Sequence, residues 1–315
     1  MSIAGLLKRN GPNGLGFSST AEDVTEGLDL TNKNILITGI NSGLGLETGR
    51  VLSKRGAQVL GLARTLEKAK SVSALMNDSY TPLVCELSDP KSVFECVETL
   101  KNAKLKIDAI ICNAGVMALP QLQQNYGIEL HFLTNHIGHF ILVTSLLDSL
   151  ADCGRVTMVS SLAHKMFSYK EGIQFRNFSG SQGYDRYKAY GHSKLANILF
   201  ANELSKRLVS MTLTANALHP GVIRTNLSRY SNPVMTAGMR IGEKIFFKTV
   251  AQGAATQSYV SVHPSLDGVS GKYFSDCNPA RTSEHGRDTD MAERLWDVSE
   301  KMVLKLRDNE MWADD

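Results

Sequence analysis

In "AYGHSK", Tyr190 and Lys194 stand four residues apart. On a helix that spacing puts both side chains on one face, one turn apart. A free tyrosine, with a pKa of about 10, is a poor acid–base group at neutral pH. An ammonium within a few ångströms favours the phenolate and so lowers that pKa. A carbonyl being reduced needs a proton at its oxygen, and the reverse reaction needs a base there; a tyrosine tuned by a lysine serves both. Taken alone, the pair is equally a solvated helix face with an unrelated Tyr and Lys. A second stretch, "ILITGINSGLGLE", carries Gly39, Gly43 and Gly45 directly after an apolar run, with Asn41, Ser42 and Leu44 between them. Glycine permits φ > 0 and lets a ligand touch the main chain. The free N–H groups of a following helix then face that ligand, with the positive end of the dipole behind them. A pyrophosphate fits this demand; an ordinary βα turn with a packing glycine is the alternative.

The elements that must position these residues follow from the hydrophobic pattern. "NILIT" reads as a short buried strand, and after Gly45 the pattern turns helical through Leu46, Val51 and Leu52. "QVLGLA", "TPLVCEL", "IDAIIC", "GRVTMVSS" and "LTANALH" read as further strands. Between them come "DPKSVFECVETL", with Pro90 in its first turn, then the long "YGIELHFLTNHIGHFILVTSLLDSL" and "KAYGHSKLANILFANELSKRL" as helices. This alternation predicts an α/β fold of the Rossmann type, a single doubly wound domain over about residues 34–308 with a parallel sheet of about seven strands. Residues 1–33 read as an extension in which "STAEDV" offers a helix cap. In such sheets ligands lie beyond the carboxyl ends of the strands. That directs attention to Gly39–Gly45, Arg64, Asn113-Ala114-Gly115, Ser160-Ser161 and Pro220-Gly221. A protein binding NAD usually carries an acid at the end of the second strand. "LGLART" offers Arg64 instead, a planar fork suited to a 2′-phosphate, so NADP(H) is expected over NAD(H).

The chain has 315 residues, 43% hydrophobic and 21% charged, ordinary for a globular protein of one large or two small domains. A net charge of +3 without a basic run gives no reason to expect nucleic acid as a partner. The five cysteines, Cys85, Cys96, Cys112, Cys153 and Cys277, include no C-x-x-C pair. They suit a reducing compartment and argue against a disulfide framework or a metal site. No run approaches the roughly 20 apolar residues of a transmembrane helix. "MSIAGLLKRN" is too short and interrupted for a secretory signal, and Ser2 rather than glycine follows the initiator methionine. An intracellular, cytoplasmic protein is the expectation.

The joint set of Thr38-Gly39-x-x-x-Gly43-x-Gly45, Asn113-Ala114-Gly115, Asn135, Ser161, Tyr190-x-x-x-Lys194 and Pro220-Gly221 resembles the short-chain dehydrogenase/reductase family over residues 33–276. The glycine spacing favours its dehydrogenase branch over the sugar-nucleotide epimerases, which share Y-x-x-x-K but space their glycines differently. "NHIGHF", "VSSLAH", "AYGHSKLANILFANEL" and "HPGVIRTNL" are similar to the retinol dehydrogenase-like subgroup. Its neighbours are the plant chloroplast-translocon dehydrogenases and the catalytic domain of WW-domain-containing oxidoreductase. The resemblance implies an oxidoreductase acting on CH–OH donors, interconverting an apolar aldehyde or ketone and its alcohol, with NADP(H) as cofactor. Ser161, with Ser160 as the alternative, would hydrogen-bond the substrate oxygen. Tyr190 would be the general acid–base, Lys194 would also bind the nicotinamide ribose, and Asn135 would hold a water in the proton relay. Asn113, Ala114 and Gly115 would pack beside the adenosine ribose. Pro220, Gly221, Val222 and Thr225 would form the nicotinamide loop, Val222 and Thr225 orienting the carboxamide. Glu86, beside Leu87, stands where the family usually has the aspartate that meets the adenine amino group, and its side chain is longer than the family's.

Other features read more plainly. His131, His136 and His139 are spaced by five and three, and structural roles are expected rather than metal ligation. His164, His192 and His219 flank the site, where hydrogen-bonding support is expected. Residues 226–250 stand where the family places its substrate lid. Met235, Met239, Ile241, Ile245 and Phe246 would line an apolar pocket, while Arg240, Lys244 and Lys248 offer a peripheral membrane or partner contact as the lesser reading. A homodimer is the assembly considered. The competing function is a non-catalytic NADP(H)-binding regulatory or scaffold protein, since fold does not fix function. Against it stands the set Asn135, Ser161, Tyr190 and Lys194, which a pure binding module has no need of.

Overall fold

The computed structural model of the chain describes residues 10–209, 211–223 and 247–314. Its strands are β1 (Asn34–Thr38), β2 (Gln58–Ala63), β3 (Thr81–Val84), β4 (Ile107–Cys112), β5 (Leu150–Val159), β6 (Thr214–His219), β7 (Tyr273–Ser275) and β8 (Asn278–Pro279). They form one sheet in the order β8-β7-β6-β5-β4-β1-β2-β3. Seven strands are parallel, and β8 adds a two-residue antiparallel edge that the sequence pattern does not signal. The order reverses between β4 and β1, which opens a crevice above their carboxyl ends.

The period of two along β1 divides the core. Leu36 joins one apolar cluster, with Phe132, Leu195 and Leu295, while Ile35 and Ile37 join another on the opposite face. The first cluster is covered by α2 (Pro90–Asn102), α3 (residues 130–145), α4 (Arg186–Arg207) and α6 (Thr289–Arg307). The second face is covered by α1 (Gly43–Lys54) and α5 (Val250–Val262). Phe132 is fully buried, with the rings of Phe178 and His192 within 5.2 Å. Truncating such a ring costs roughly 3–5 kcal/mol.

Helix starts follow local chemistry. Asp89 caps α2 ahead of Pro90, Asp185 caps α4 through the N–H groups of Tyr187 and Lys188, and Thr249 with Gln252 forms a capping box at α5. Thr20 caps the short helix Ala21–Val24, reciprocated by Asp23. That turn brings Ala21 against Val51 of α1 and Ala254 of α5, and Glu22 pairs with Arg50 and Lys54. The described part of the extension is therefore packed on the second face, through apolar contact more than through half-exposed ion pairs.

Most of the expected lid, together with Thr225, Met235, Met239, Arg240, Ile241, Lys244, Ile245 and Phe246, lies outside the described residues. At its borders Val222–Ile223 and Phe247–Lys248 pair as a short parallel ribbon. Lys248 is buried, its ammonium 2.5 Å from the Asp276 carboxylate, so among these basic residues it faces the interior rather than a surface. No described helix is long and apolar enough to cross a membrane.

Candidate active site

The glycine turn links β1 to α1 at the mouth of the crevice. Gly39 has φ +72°, a conformation open to glycine. At Gly45 a Cβ would lie 2.3 Å from the Gly39 carbonyl and 2.6 Å from the Asn113 amide nitrogen, so the α1 start rests directly on β1 and on the residue after β4. Ser42 occupies the cap position of α1 but makes no side-chain cap bond, so the first N–H groups of this 12-residue helix have no acceptor from it. A cradle that a side chain would fill, at an uncapped helix start, fits a dinucleotide pyrophosphate. Asn41, Ser42 and Leu44 lie along this turn and are partly exposed.

The far end of the cradle is made by Arg64 and Glu86. Arg64 follows β2 and leaves 57% of its side chain exposed, with Nε 3.9 Å from Glu86 Oε2. Glu86 Oε1 accepts from both the N–H and the hydroxyl of Ser88. Glu86 is thus engaged by Ser88 and turned towards Arg64, while Leu87 is buried against Gly138 of α3.

Asn113 and Ala114 pass under the cradle. Their backbone N–H groups both donate to Thr38 Oγ1 at 2.9 Å, and the Asn113 amide donates to the Thr38 carbonyl at 2.8 Å. Gly115 lies against Asn135 and Lys194: a Cβ there would sit 2.9 Å from Asn135 Oδ1 and 3.6 Å from Lys194 Nζ. Pro220 is buried and Gly221 partly so, whereas Val222 stands exposed.

Tyr190 and Lys194 share the buried face of α4. The ammonium lies 5.7 Å from the Tyr190 ring centre and donates to the Val159 carbonyl at 2.9 Å. Ser160 and Ser161 follow β5 and divide their work. The Ser160 hydroxyl is buried and donates to the Lys194 carbonyl at 2.7 Å. Ser161 is partly exposed, accepts from the Ala163 N–H and lies near enough to the Tyr190 hydroxyl to act on its pKa. Burial pushes the Tyr190 phenol up to about 12, and the neighbouring Ser161 hydroxyl draws it back. Burial lowers the Lys194 ammonium to about 8. The expected lowering of the tyrosine by the lysine is therefore not the leading effect in this geometry. Desolvation is, because α4 is packed on both groups and the ammonium is directed at a strand carbonyl.

Asn135 lies in α3, in a π-helical turn, Leu133–Ile137, inside the helix. Its amide clamps the backbone of Val116 in both directions, at 2.8 and 3.0 Å, and donates to Ser193 Oγ at 2.9 Å. Ser193 in turn donates to the Tyr190 carbonyl. The structure thus brings Asn135, Ser161, Tyr190 and Lys194 to one place below the glycine turn.

The flanking histidines hold backbone. His164 meets the Ser161 carbonyl at 2.6 Å and accepts from Ser283 N–H; His219 accepts from Leu162 N–H, and His192 from Gln174 N–H. Burial lowers all three to about 4, which keeps their rings neutral. Of the helix α3 histidines, His131 faces the buried Glu129 carboxylate at 2.6 Å and His136 meets Ser299 at 2.9 Å. No group of metal-ligating side chains is present among the described residues.

Three supporting residues are not apparent from the motifs. Ser193 stands unnoticed inside "YGHSK". Gln257 of α5 donates to Thr48 at 2.6 Å and to Asn113 at 3.3 Å, a reach across 144 residues that no local pattern announces. His139 contacts Thr38 and Asn135 together, and its spacing of four from Asn135 is the one available signal.

Comparison with known proteins agrees with this fold. The family model for short chain dehydrogenase matches residues 33–235. The short-chain dehydrogenase TIC 32 B, chloroplastic, of Brassica napus is 41% identical over 97% of this chain and 100% of its own length. Retinol dehydrogenase 12 of Mus musculus is 38% identical over 87% of each chain. Among solved structures, an uncharacterized protein from Mycobacterium paratuberculosis superposes with a TM-score of 0.72 at 30% identity, over 92% of this chain and 98% of that one. A short chain dehydrogenase from Burkholderia cenocepacia, solved in complex with NADP, has a TM-score of 0.63 at 20% identity over 78% of this chain and 96% of its own, and shows the shared fold. With its parallel sheet, its glycine turn and a relative matched along its whole length, this chain belongs to the short chain dehydrogenase family, oxidoreductases that act on CH–OH groups with a nicotinamide dinucleotide.

Proposed function

We propose that the protein is an NADP(H)-dependent oxidoreductase that interconverts an apolar aldehyde or ketone and its alcohol, with Tyr190 as the general acid–base. The observation that carries this reading is the buried Tyr190, beside Ser161 and one helical turn from Lys194, whose ammonium lies 5.7 Å from its ring centre. In the reducing direction the substrate oxygen lies between the two hydroxyls. Ser161 Oγ accepts from Ala163 N–H, and its hydrogen, which faces Tyr190, would turn to that oxygen when a substrate enters. Tyr190 delivers its proton as negative charge develops there, and Lys194 stabilises the phenolate that remains. Bound in the cradle, NADPH supplies the hydride. Arg64 would hold its 2′-phosphate, and Lys194 would reach the nicotinamide ribose.

Two further observations support the details. Arg64 is more than half exposed and weakly held by Glu86, so it is available to a phosphate, and no acid stands at the end of β2. Leu162, next to Ser161, and Met166, five residues after it, are exposed by 37% and 63%, and apolar side chains left open near Ser161 suit an apolar substrate. The name of the mouse retinol dehydrogenase points the same way.

The experiment is a panel of aldehydes, ketones and alcohols, followed by NADPH fluorescence, with the parent and Tyr190→Phe side by side. Turnover of apolar carbonyls by the parent and its loss in the variant is the expected result. A parent that binds NADP(H) but turns over nothing on a broad panel would favour the regulatory or scaffold function instead.

A further inference from the structure

The last residue of β1, Thr38, and the π turn of α3 are joined by one side chain. His139 is fully buried. Its Nε2 lies 2.9 Å from Thr38 Oγ1 and its Nδ1 lies 2.9 Å from the Asn135 carbonyl. The donors and acceptors in this chain have one consistent arrangement. A threonine hydroxyl has two acceptor sites and one hydrogen. Both acceptor sites of Thr38 are taken by the N–H groups of Asn113 and Ala114. Its hydrogen therefore goes outward, to His139 Nε2 at 2.9 Å rather than to the Ile111 carbonyl at 3.4 Å. Nε2 is then an acceptor, and the ring proton sits on Nδ1. There it points at the Asn135 carbonyl, which can only accept. A protonated ring would present an N–H to a Thr38 oxygen with no lone pair left. Burial lowers His139 to about 4, and the Lys194 charge acts in the same direction, which agrees with a neutral ring.

We propose that His139 is a positioning residue for the reaction: as the Nδ1–H tautomer it fixes the Thr38 hydroxyl beneath the cofactor cradle and the Asn135 carbonyl in the π turn, making one hydrogen-bonded unit of the two. The proposal rests on the oxidoreductase reading. At one end of the bridge, Thr38 holds the Asn113-Ala114 backbone, against which Gly39 and Gly45 pack. At the other end, Asn135 is tied to Ser193 and through it to the Tyr190 carbonyl. The cradle and the acid–base tyrosine are 152 residues apart in sequence when counted from Thr38 to Tyr190. His139 gives them a direct polar connection inside the core.

The two halves of the bridge separate by substitution. An Asn amide places its N–H near the position of Nδ1 and keeps the bond to Asn135; a Gln amide reaches the position of Nε2 and keeps an acceptor for Thr38. His139→Phe removes both. With His139→Phe, NADP(H) affinity should fall about tenfold, the loss of one buried hydrogen bond, and kcat should fall roughly 10- to 100-fold, the effect of a misplaced catalytic geometry. His139→Gln should keep the parent Kd for NADP(H) while kcat stays low, and His139→Asn should show the reverse. Nitrogen-15 spectra of histidine-labelled parent protein should show the His139 proton on Nδ1. A folded His139→Phe protein with parent Kd and kcat would overturn the proposal. So would three variants whose affinity and rate fall together in proportion to Tm, or a ring protonated on Nε2. The tautomer and the Kd split are read without turnover. A chain that binds NADP(H) but reduces nothing would therefore overturn the oxidoreductase reading and leave these two measurements to decide the His139 bridge.

Discussion

The Lys194 ammonium donates to the Val159 carbonyl at 2.9 Å, tying the middle of α4 to the last residue of the strand that presents Ser160 and Ser161. This charge is 3% exposed, and burial lowers it from 10.5 to about 8. Between these values the unfolded chain binds more protons at this residue than the folded one, so its contribution makes stability rise with pH through that window. Below pH 8 the folded protein carries the full penalty, about 3 kcal/mol for such a shift. Lys194→Met should therefore raise Tm at pH 7, and the gain should shrink as pH approaches 10.5, while activity and cofactor affinity fall. Calorimetry at the two pH values checks this. A variant less stable than the parent at both would contradict it.

The same groups set the pH dependence of rate. Reduction needs a protonated Tyr190 and a charged Lys194, and the lysine loses its charge near pH 8. Oxidation needs the phenolate, whose formation is held back to high pH. Reductive kcat/KM should fall above about pH 8, while oxidative kcat/KM climbs across the range. Initial rates in both directions from roughly pH 6 to 10 test the crossing. Parallel profiles would count against this pair of assignments.

Tyr190→Phe deletes one oxygen and keeps a buried ring. The variant should fold and bind NADP(H) as the parent does. Its turnover should fall by ~10²–10⁴, the usual worth of general acid–base assistance. Parent-level turnover on a substrate that the parent reduces would refute the mechanism.

Arg64 should decide between cofactors. In Arg64→Asp a charge-assisted bond to a 2′-phosphate becomes a repulsion, and an acid appears where the ribose hydroxyls of NAD would lie. Preference should reverse from NADP(H) to NAD(H) in calorimetric titration. Equal affinity of the parent for both cofactors would remove the basis for the expectation.

Gly45→Ala tests the cradle itself. Its Cβ would meet the Gly39 carbonyl, a backbone atom, at 2.3 Å and the Asn113 amide nitrogen, held by the Thr38 carbonyl, at 2.6 Å. A loss of about 1–3 kcal/mol of stability is expected from such overpacking, together with weakened cofactor binding. Denaturant melts and a titration on the same sample separate the two; an unchanged parent-like affinity would mean that the turn gives way without harm to the cradle.

Local chemistry was enough to place much of this protein. The apolar run before Gly39, the Pro90 helix start and the cap in "STAEDV" are governed by neighbours within a few residues, and each stands in the structure where its sequence puts it. The i, i+4 relation of Tyr190 and Lys194 is likewise a property of any helix. Tertiary structure decided what those residues experience. Whether Tyr190 is tuned by its lysine or by desolvation depends on how deeply α4 is buried and on the Val159 carbonyl, which comes from a strand 35 residues earlier. Which serine of the pair faces the tyrosine depends on Ser160 finding the Lys194 carbonyl. The Glu86 contact with Ser88 and Arg64, the Gln257 bond to Asn113 and the His139 bridge arise between elements that only the folded sheet brings together. Periodicity and capping act over one or two turns of chain and can be read from the residues there. The direction of a buried hydrogen bond is settled by every donor and acceptor around it, and those are assembled only when the strands and helices pack.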